Sequence, residues 1–405
     1  MTATVPAARR GVRFRYNAPS LAAVIWALLF FNGLAYTTDN PPLLQIPGSA
    51  AKAITQGALA LALLLVLVLN RARVVRPNLF LSLVSLGAGA ALLTSIRVSS
   101  GFGSLAREGR LCAFLAVLWL LTPWWGRPDW AVCRWHLQCL AAVCGVVVVG
   151  FAISPGGATQ LNGRLGGYIW PIPATQVGHY SAVMVGIVAV LWMAGLLRRR
   201  TALLLGAGGF VILLLTQTRT AMLGLVIGLA GAMLCLFVTH ARVRRVAMIL
   251  LIAVPLGIAL FAPAASDWFD RGQSSQEIGN LTGRTKVWDR IVAEPRPTLD
   301  RWLGSGLSNK SFDGLAIDSS WLSIYVDEGL IGDVIVGLTL VSLLVLAMIR
   351  PRGPATALAI FLLLYCAIAS LTETGLGDVS PYMLDLTVAA SLLAAPVTRL
   401  LERSS

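Results

Sequence analysis

Charge is scarce in this 405-residue chain: Asp, Glu, Lys and Arg make up 12% of it, about half the share of a soluble domain. Acidic residues are the scarcer kind, 18 against 32 basic ones, and lysine is nearly missing, with 3 against 29 arginines. So little charge beside 57% hydrophobic residues excludes disorder. A mean hydropathy of +0.78 also exceeds what a water-soluble fold of this length hides. Six scattered cysteines, all in or beside apolar stretches, exclude a disulfide scaffold, and no structural disulfide is expected. No GxxxxGK[ST] phosphate loop is present, so the chain is not built to hydrolyse ATP. Its three histidines are dispersed and its outer segment holds no cysteine, which excludes an ordinary zinc site. The net charge of +14 does not signal nucleic-acid binding, because the bases fall in short runs between apolar stretches instead of forming one soluble patch.

What is present is a series of apolar segments, each close to the 20 or so residues that a bilayer requires. Twelve are expected to span: 20–36, 49–70, 78–96, 109–124, 131–153, 175–197, 201–216, 219–239, 246–262, 322–349, 355–372 and 381–397. The fold class is therefore all-α and polytopic, with the lipid bilayer as solvent. The first segment is expected to be a span and not a cleaved leader, since it lacks a small-residue cleavage site. Placing both termini in the cytoplasm puts 19 of the 32 bases and only two of the 18 acids, Asp129 and Glu402, on the inner side. Three regions follow: a membrane bundle over 1–262, an outer segment over 263–321 carrying short amphipathic helices, and further membrane helices over 322–405. The inner loops are all short, so chemistry is expected at the outer face.

Arginines on the outer side oppose the bias that orients the chain, and several gather there. Arg107 and Arg110 lie three apart, hence on one helix face. Arg164 follows the fifth span. Arg219 opens the eighth, within Thr216-Gln217-Thr218-Arg219-Thr220. A helix start combined with a guanidinium fork suits a phosphate, and Thr218 and Thr220 add hydroxyls. An arginine snorkelling to headgroups is the plainer reading. Arg284 begins an amphipathic stretch in which Trp288 and Ile291 share a face, stopped by Pro295 and Pro297; an interfacial helix is expected there.

Among other ionisable residues, His136 and His240 read as interfacial fillers. His179, beside Tyr180 near an outer helix end, is either a proton acceptor or a satisfied polar residue. Asp318, followed by Ser319 and Ser320, either caps the next helix or takes a proton from a hydroxyl. Asp385, one turn inside the last span, requires a partner, either an arginine or a hydroxyl.

Residues 318–332, Asp-Ser-Ser-Trp-Leu-Ser-Ile-Tyr-Val-Asp-Glu-Gly-Leu-Ile-Gly, resemble the signature of the O-antigen ligase and O-antigen polymerase superfamily. In the ligases that signature is His, then Asn, Ser or Gln, nine variable residues, Gly, two residues and Gly. Gly329 and Gly332 match its glycines, and Asp318 stands where the ligases have His. Four further segments are similar to segments of this superfamily. They are Gly163-Arg164-Leu165-Gly166, Thr216 to Thr220, Gly283-Arg284-Thr285-Lys286-Val287-Trp288 and Leu303-Gly304-Ser305-Gly306. The matched region runs from about 160 to 335.

The resemblance implies a membrane glycosyltransferase acting at the outer leaflet of the plasma membrane, whose donor is a glycan on a polyprenyl diphosphate. It needs neither metal nor cofactor, because the diphosphate bond supplies the energy. Carried over residue by residue, Arg219 and Arg284 bind the diphosphate, with Arg164 a third candidate. Asp318 is the base and His179 the alternative. The acceptor is another lipid-linked glycan in the polymerases and lipid A-core in the ligases; Asp318 in place of His favours the former. A flippase and a chain-length regulator are the partners implied. Twelve spans also suit a secondary transporter, although no internal repeat is evident. A non-catalytic relative that retains lipid binding is the third reading.

Overall fold

The computed structural model describes residues 20–37, 42–97, 101–160, 163–270, 284–307 and 310–396. The N-terminal arginines, Asp39, Gly283, Arg399, Glu402 and Arg403 lie outside the described residues. The protein is all-α. Its helices are α1 (Leu21–Asn32), α2 (Gly48–Leu69), α3 (Leu79–Arg97), α4 (Gly101–Leu121), α5 (Ala131–Ile153), a single turn α6 (Pro155–Ala158), α7 (Ala174–Met193), α8 (Arg199–Thr216), α9 (Arg219–Phe237), α10 (Ala241–Asp270), α11 (Arg284–Ala293), α12 (Thr298–Leu303), α13 (Ser320–Ile349), α14 (Pro354–Ala369) and α15 (Pro381–Leu393). Two antiparallel hairpins complete the described residues, β1 (Thr159–Gln160) with β2 (Arg164–Leu165), and β3 (Ser311–Phe312) with β4 (Leu315–Ala316).

Each of the twelve apolar segments coincides with a helix. Seven helices are long and apolar enough to cross a membrane: α2, α3, α5, α7, α8, α9 and α13. Three, α1, α14 and α15, are apolar but shorter. α4 carries Arg107, Glu108 and Arg110 in its first half. α10 runs to Asp270, past the boundary expected at 262, and bends at Phe261 between Pro255 and Pro263.

Burial sorts these helices into an inner and an outer set. α7 is enclosed on nearly every face, and α14 and α15 bury most of their residues. α2, α8, α9, α10 and α13 instead present large aliphatic side chains outward, among them Leu64, Leu204, Leu234, Leu251 and Ile349, each more than 60% exposed. Such a belt is costly in water and favourable in lipid.

The chain ends that build the site are pinned by local chemistry. Pro173 occupies the N-cap position of α7 and Pro381 the first turn of α15, positions where a missing N–H costs nothing. The Ser380 hydroxyl accepts from the Met383 N–H to close the start of α15. Gln160 fastens the first hairpin to α7, accepting from the Ala174 N–H at 3.0 Å and donating to the Ile172 carbonyl at 3.1 Å. That anchorage fixes the strand bearing Arg164.

A candidate anion site and an adjoining cavity

Arg164, Arg219 and Arg284 come from β2, α9 and α11, yet they gather at the end of the bundle where α11 and α12 lie. Arg219 is the first residue of α9, as the sequence suggests. Arg164 reaches the preceding turn: its Nε donates to the Thr216 carbonyl at 2.9 Å, and its Nη2 donates to the Thr218 hydroxyl at 3.2 Å. A cation at the C-terminal carbonyls of α8 is favoured by the helix dipole. Burial lowers the pKa of the Arg164 guanidinium, Glu373 opposes that fall, and the nearby charges of Arg284 and Arg219 add to it. Arg219 and Arg284 therefore both lie within electrostatic reach of Arg164.

Two expectations about this turn are corrected. Thr218 does not offer its hydroxyl outward, since it is buried against the Thr216 carbonyl and the Arg164 guanidinium. Thr220 pairs with the Thr372 hydroxyl at 2.6 Å. Both threonines brace the site internally, because the α8–α9 turn packs beneath the loop that joins α14 to α15.

Asp318 is brought directly to Arg284. Arg284 Nε donates to Asp318 Oδ2 at 2.9 Å. Asp318 does not cap α13: Ser319 stands at the N-cap position, and no side chain makes the cap bond. α11 is held against this point by Val287 and Ile291, one turn apart, buried with Ile317 and Val326. Trp288, expected to share a face with Ile291, packs at the margin of that cluster, and Val287 is the residue buried with Ile291.

Glu373, which no sequence motif marks, sits among these groups. Its backbone carbonyl accepts from the Ser320 hydroxyl at 2.7 Å, two residues from Asp318. Its neighbour Thr372 is the residue bonded to Thr220, next to Arg219. Burial pushes the Glu373 carboxyl up to about 7; Arg284 and Arg164 pull it down, and Asp318 pushes it further up. Among the described residues, no cation lies within ion-pair distance of its carboxylate. The available signal was a lone acid in a short polar loop, Thr372-Glu373-Thr374, between two apolar helices.

Glu373 also lines a cavity of about 320 Å³, together with Arg110, Gln176, His179, Lys310 and Asp378. Asp318 is not part of its wall. Arg110 is steered there by donating to the Asn32 carbonyl at 2.8 Å. Lys310, also unremarked in the sequence, pairs with the buried Asp327 at 2.7 Å.

His179 forms one side of this cavity, and behind it lies a buried cluster of two histidines and a carboxyl. His136 Nε2 bonds Asp385 Oδ1 at 2.8 Å, and His179 Nε2 lies 3.0 Å from Asp385 Oδ2, a close contact without an aligned hydrogen bond. His136 is therefore not an interfacial filler: it is fully buried, with Trp26 and Phe30 edge-on to its ring. Asp385 finds its partners in two histidines, neither an arginine nor a hydroxyl. α5, α7 and α15 meet at this point and bring together residues that the sequence separates.

A comparison with protein-family models found no match, and a search of the curated proteins found none either.

Proposed function

We propose that the protein is an integral membrane glycosyltransferase. It transfers a glycan from a polyprenyl diphosphate to an acceptor hydroxyl at the outer face of the plasma membrane, in the manner of an O-antigen polymerase. The observation that carries this reading is the convergence of Arg219 and Arg284 on Arg164 from three separate segments, with Asp318 paired to Arg284 and Glu373 near Arg164 and Arg284. Like charges drawn together repel, and a bound dianion relieves that repulsion. The motifs of the O-antigen ligase and polymerase superfamily fall on these same residues.

In this reading the helices of all twelve apolar segments are embedded, the termini are cytoplasmic, and the arginine end faces outward, as the arginine bias requires. As the C1–O bond to the diphosphate breaks, negative charge develops on the leaving oxygen. Arg219 and Arg284 neutralise it, while Arg164 holds the α8–α9 turn in place. Asp318 fixes the orientation of Arg284 through its hydrogen bond. The host's flippase would supply the donor, and a chain-length regulator would act on the product.

The test is incubation of purified protein with a polyprenyl-diphosphate-linked oligosaccharide of the host, resolving products by size. A ladder of lipid-linked products is expected, reduced about 10²-fold or more in Arg219→Ala and Arg284→Ala. Transfer only when lipid A-core is added would identify a ligase. Absence of transfer to either acceptor by a folded protein would defeat the reading and favour a carrier or a lipid-binding relative.

A further inference from the structure

We propose that Glu373 is the general base of this transfer and that the cavity it faces holds the acceptor sugar. This rests on the transferase reading above and goes beyond it, because the superfamily resemblance places the base at Asp318.

The geometry separates the two carboxylates. Asp318 accepts a hydrogen bond from Arg284, lies outside the cavity wall and is 41% exposed at its side chain. Its charge is committed to the cation. Glu373 stands at the junction of the two compartments. One side of it faces the arginine group, through Arg164 and Arg284, and the other faces the cavity. Two hydrogen bonds hold that junction, Ser320 to the Glu373 carbonyl and Thr220 with Thr372. They tie Glu373 to the segments bearing Asp318 and Arg219.

The cavity suits a saccharide. At about 320 Å³ it lies at the small end of ligand pockets, roughly 300–1,000 Å³. Its polar wall mixes residue types that donate, Arg110, Lys310 and Gln176, with carboxyls that accept, Asp378 and Glu373. Sugar hydroxyls do both. A hydroxyl directed at Glu373 lies beside the arginine-held diphosphate, so that its oxygen approaches the anomeric carbon from the cavity side.

The step balances. The acceptor oxygen forms a bond to the anomeric carbon, and its proton passes to the Glu373 carboxylate. The bond from that carbon to the diphosphate oxygen breaks, and its electron pair leaves with the polyprenyl diphosphate, which the arginines stabilise.

Glu373 must be ionised to accept the proton. Burial pushes its carboxyl up to about 7, with Arg284 and Arg164 pulling it down and Asp318 pushing it up, while Arg110, His179, Lys310 and Asp378 line the cavity on its other side. The rate should therefore rise with pH through that region and then level off.

Transfer, its pH profile and binding of polyprenyl diphosphate would be measured for wild type, Glu373→Gln, Glu373→Ala, Asp318→Asn and His179→Asn. Glu373→Gln is expected to lose about 10²- to 10⁴-fold in transfer rate and the rising limb, while binding polyprenyl diphosphate as tightly as wild type or more so. Added formate, a small base, should restore part of the transfer in Glu373→Ala. Since histidines also change charge near neutrality, His179→Asn must keep the limb, whatever its rate. The assignment to Glu373 falls if Glu373→Gln stays within tenfold of wild type while Asp318→Asn loses transfer, or if the limb disappears with His179. A wild type that binds polyprenyl diphosphate but transfers to no acceptor overturns the transferase reading, and the base with it.

Discussion

Glu373 exchanges stability for a usable charge. Its folded-state pKa is raised from 4.5 to about 7, mainly by burial. A carboxyl shifted upward contributes fully to stability below its unfolded pKa and loses that contribution as the pH rises through its folded one. The relevant window thus runs from about pH 4.5 to about 7. Glu373→Gln removes the titrating group and should unfold at a higher temperature than wild type at pH 8, with the gap closing towards pH 5. Thermal unfolding in detergent at the two pH values tests this; equal shifts at both would show that the carboxyl bears no such penalty. A residue that is worse for stability and needed for turnover is typical of catalytic positions. The cluster of His136, Asp385 and His179 follows another logic. There a buried carboxylate has a histidine on each oxygen, and its desolvation is offset by those contacts.

At the scale of elements, the site depends on how α12 and the turn after it dock into α13. α13 is interrupted at Gly329, where φ is +68° and ψ −166°. The Ser305 and Gly306 N–H groups donate to the Val326 and Asp327 carbonyls at 3.0 and 2.9 Å, so the turn pairs with the helix just before the break. Gly304, at φ +74°, faces the Asp327 carbonyl in return. A Cβ on Gly329 would come within 2.4 Å of the Trp302 carbonyl group, and one on Gly304 within 2.3 Å of Asp327 backbone. Strain and overlap therefore act together. Gly329→Ala is expected to destabilise the protein by about 3 kcal/mol or more, read as a fall in unfolding temperature. Retention of wild-type stability would mean that α13 can straighten without disturbing the turn. This interlock also sets Asp327 against Lys310, and thereby one wall of the cavity.

For the whole molecule, the exposed leucines and valines of the outer helices call for lipid, and the orientation proposed from the arginine bias is open to a direct test. In a cysteine-free background, Arg301→Cys in α12 should react with a membrane-impermeant maleimide in intact cells. Arg199→Cys, at the start of α8, should react only after lysis. The reverse pattern would invert the topology and remove the arginine group from the face on which the proposed transfer takes place. The inner set of helices explains the arrangement further. Short apolar α14 and α15, buried beside α7, place the Glu373 loop at the centre of that face, with the longer helices around them meeting the lipid.

Local chemistry determined much of this. Hydropathy is a property of consecutive residues, so all twelve apolar segments coincide with helices. Arg219 opens its helix, and Pro295 and Pro297 mark the end of α11, because start and stop signals act within a few residues. The periodicity of residues 284–292 indicated an amphipathic helix, although Val287 and not Trp288 faces inward with Ile291. Only the tertiary structure decided which charges meet. Arg284 finds Asp318 34 residues away and His136 finds Asp385 249 residues away, and no local pattern encodes either pairing. The place of Glu373 between the arginines and the cavity was hidden for the same reason. A carboxyl acquires its reactivity from the groups packed around it, and here those groups come from β2, α11 and the start of α13, which meet only in the folded chain.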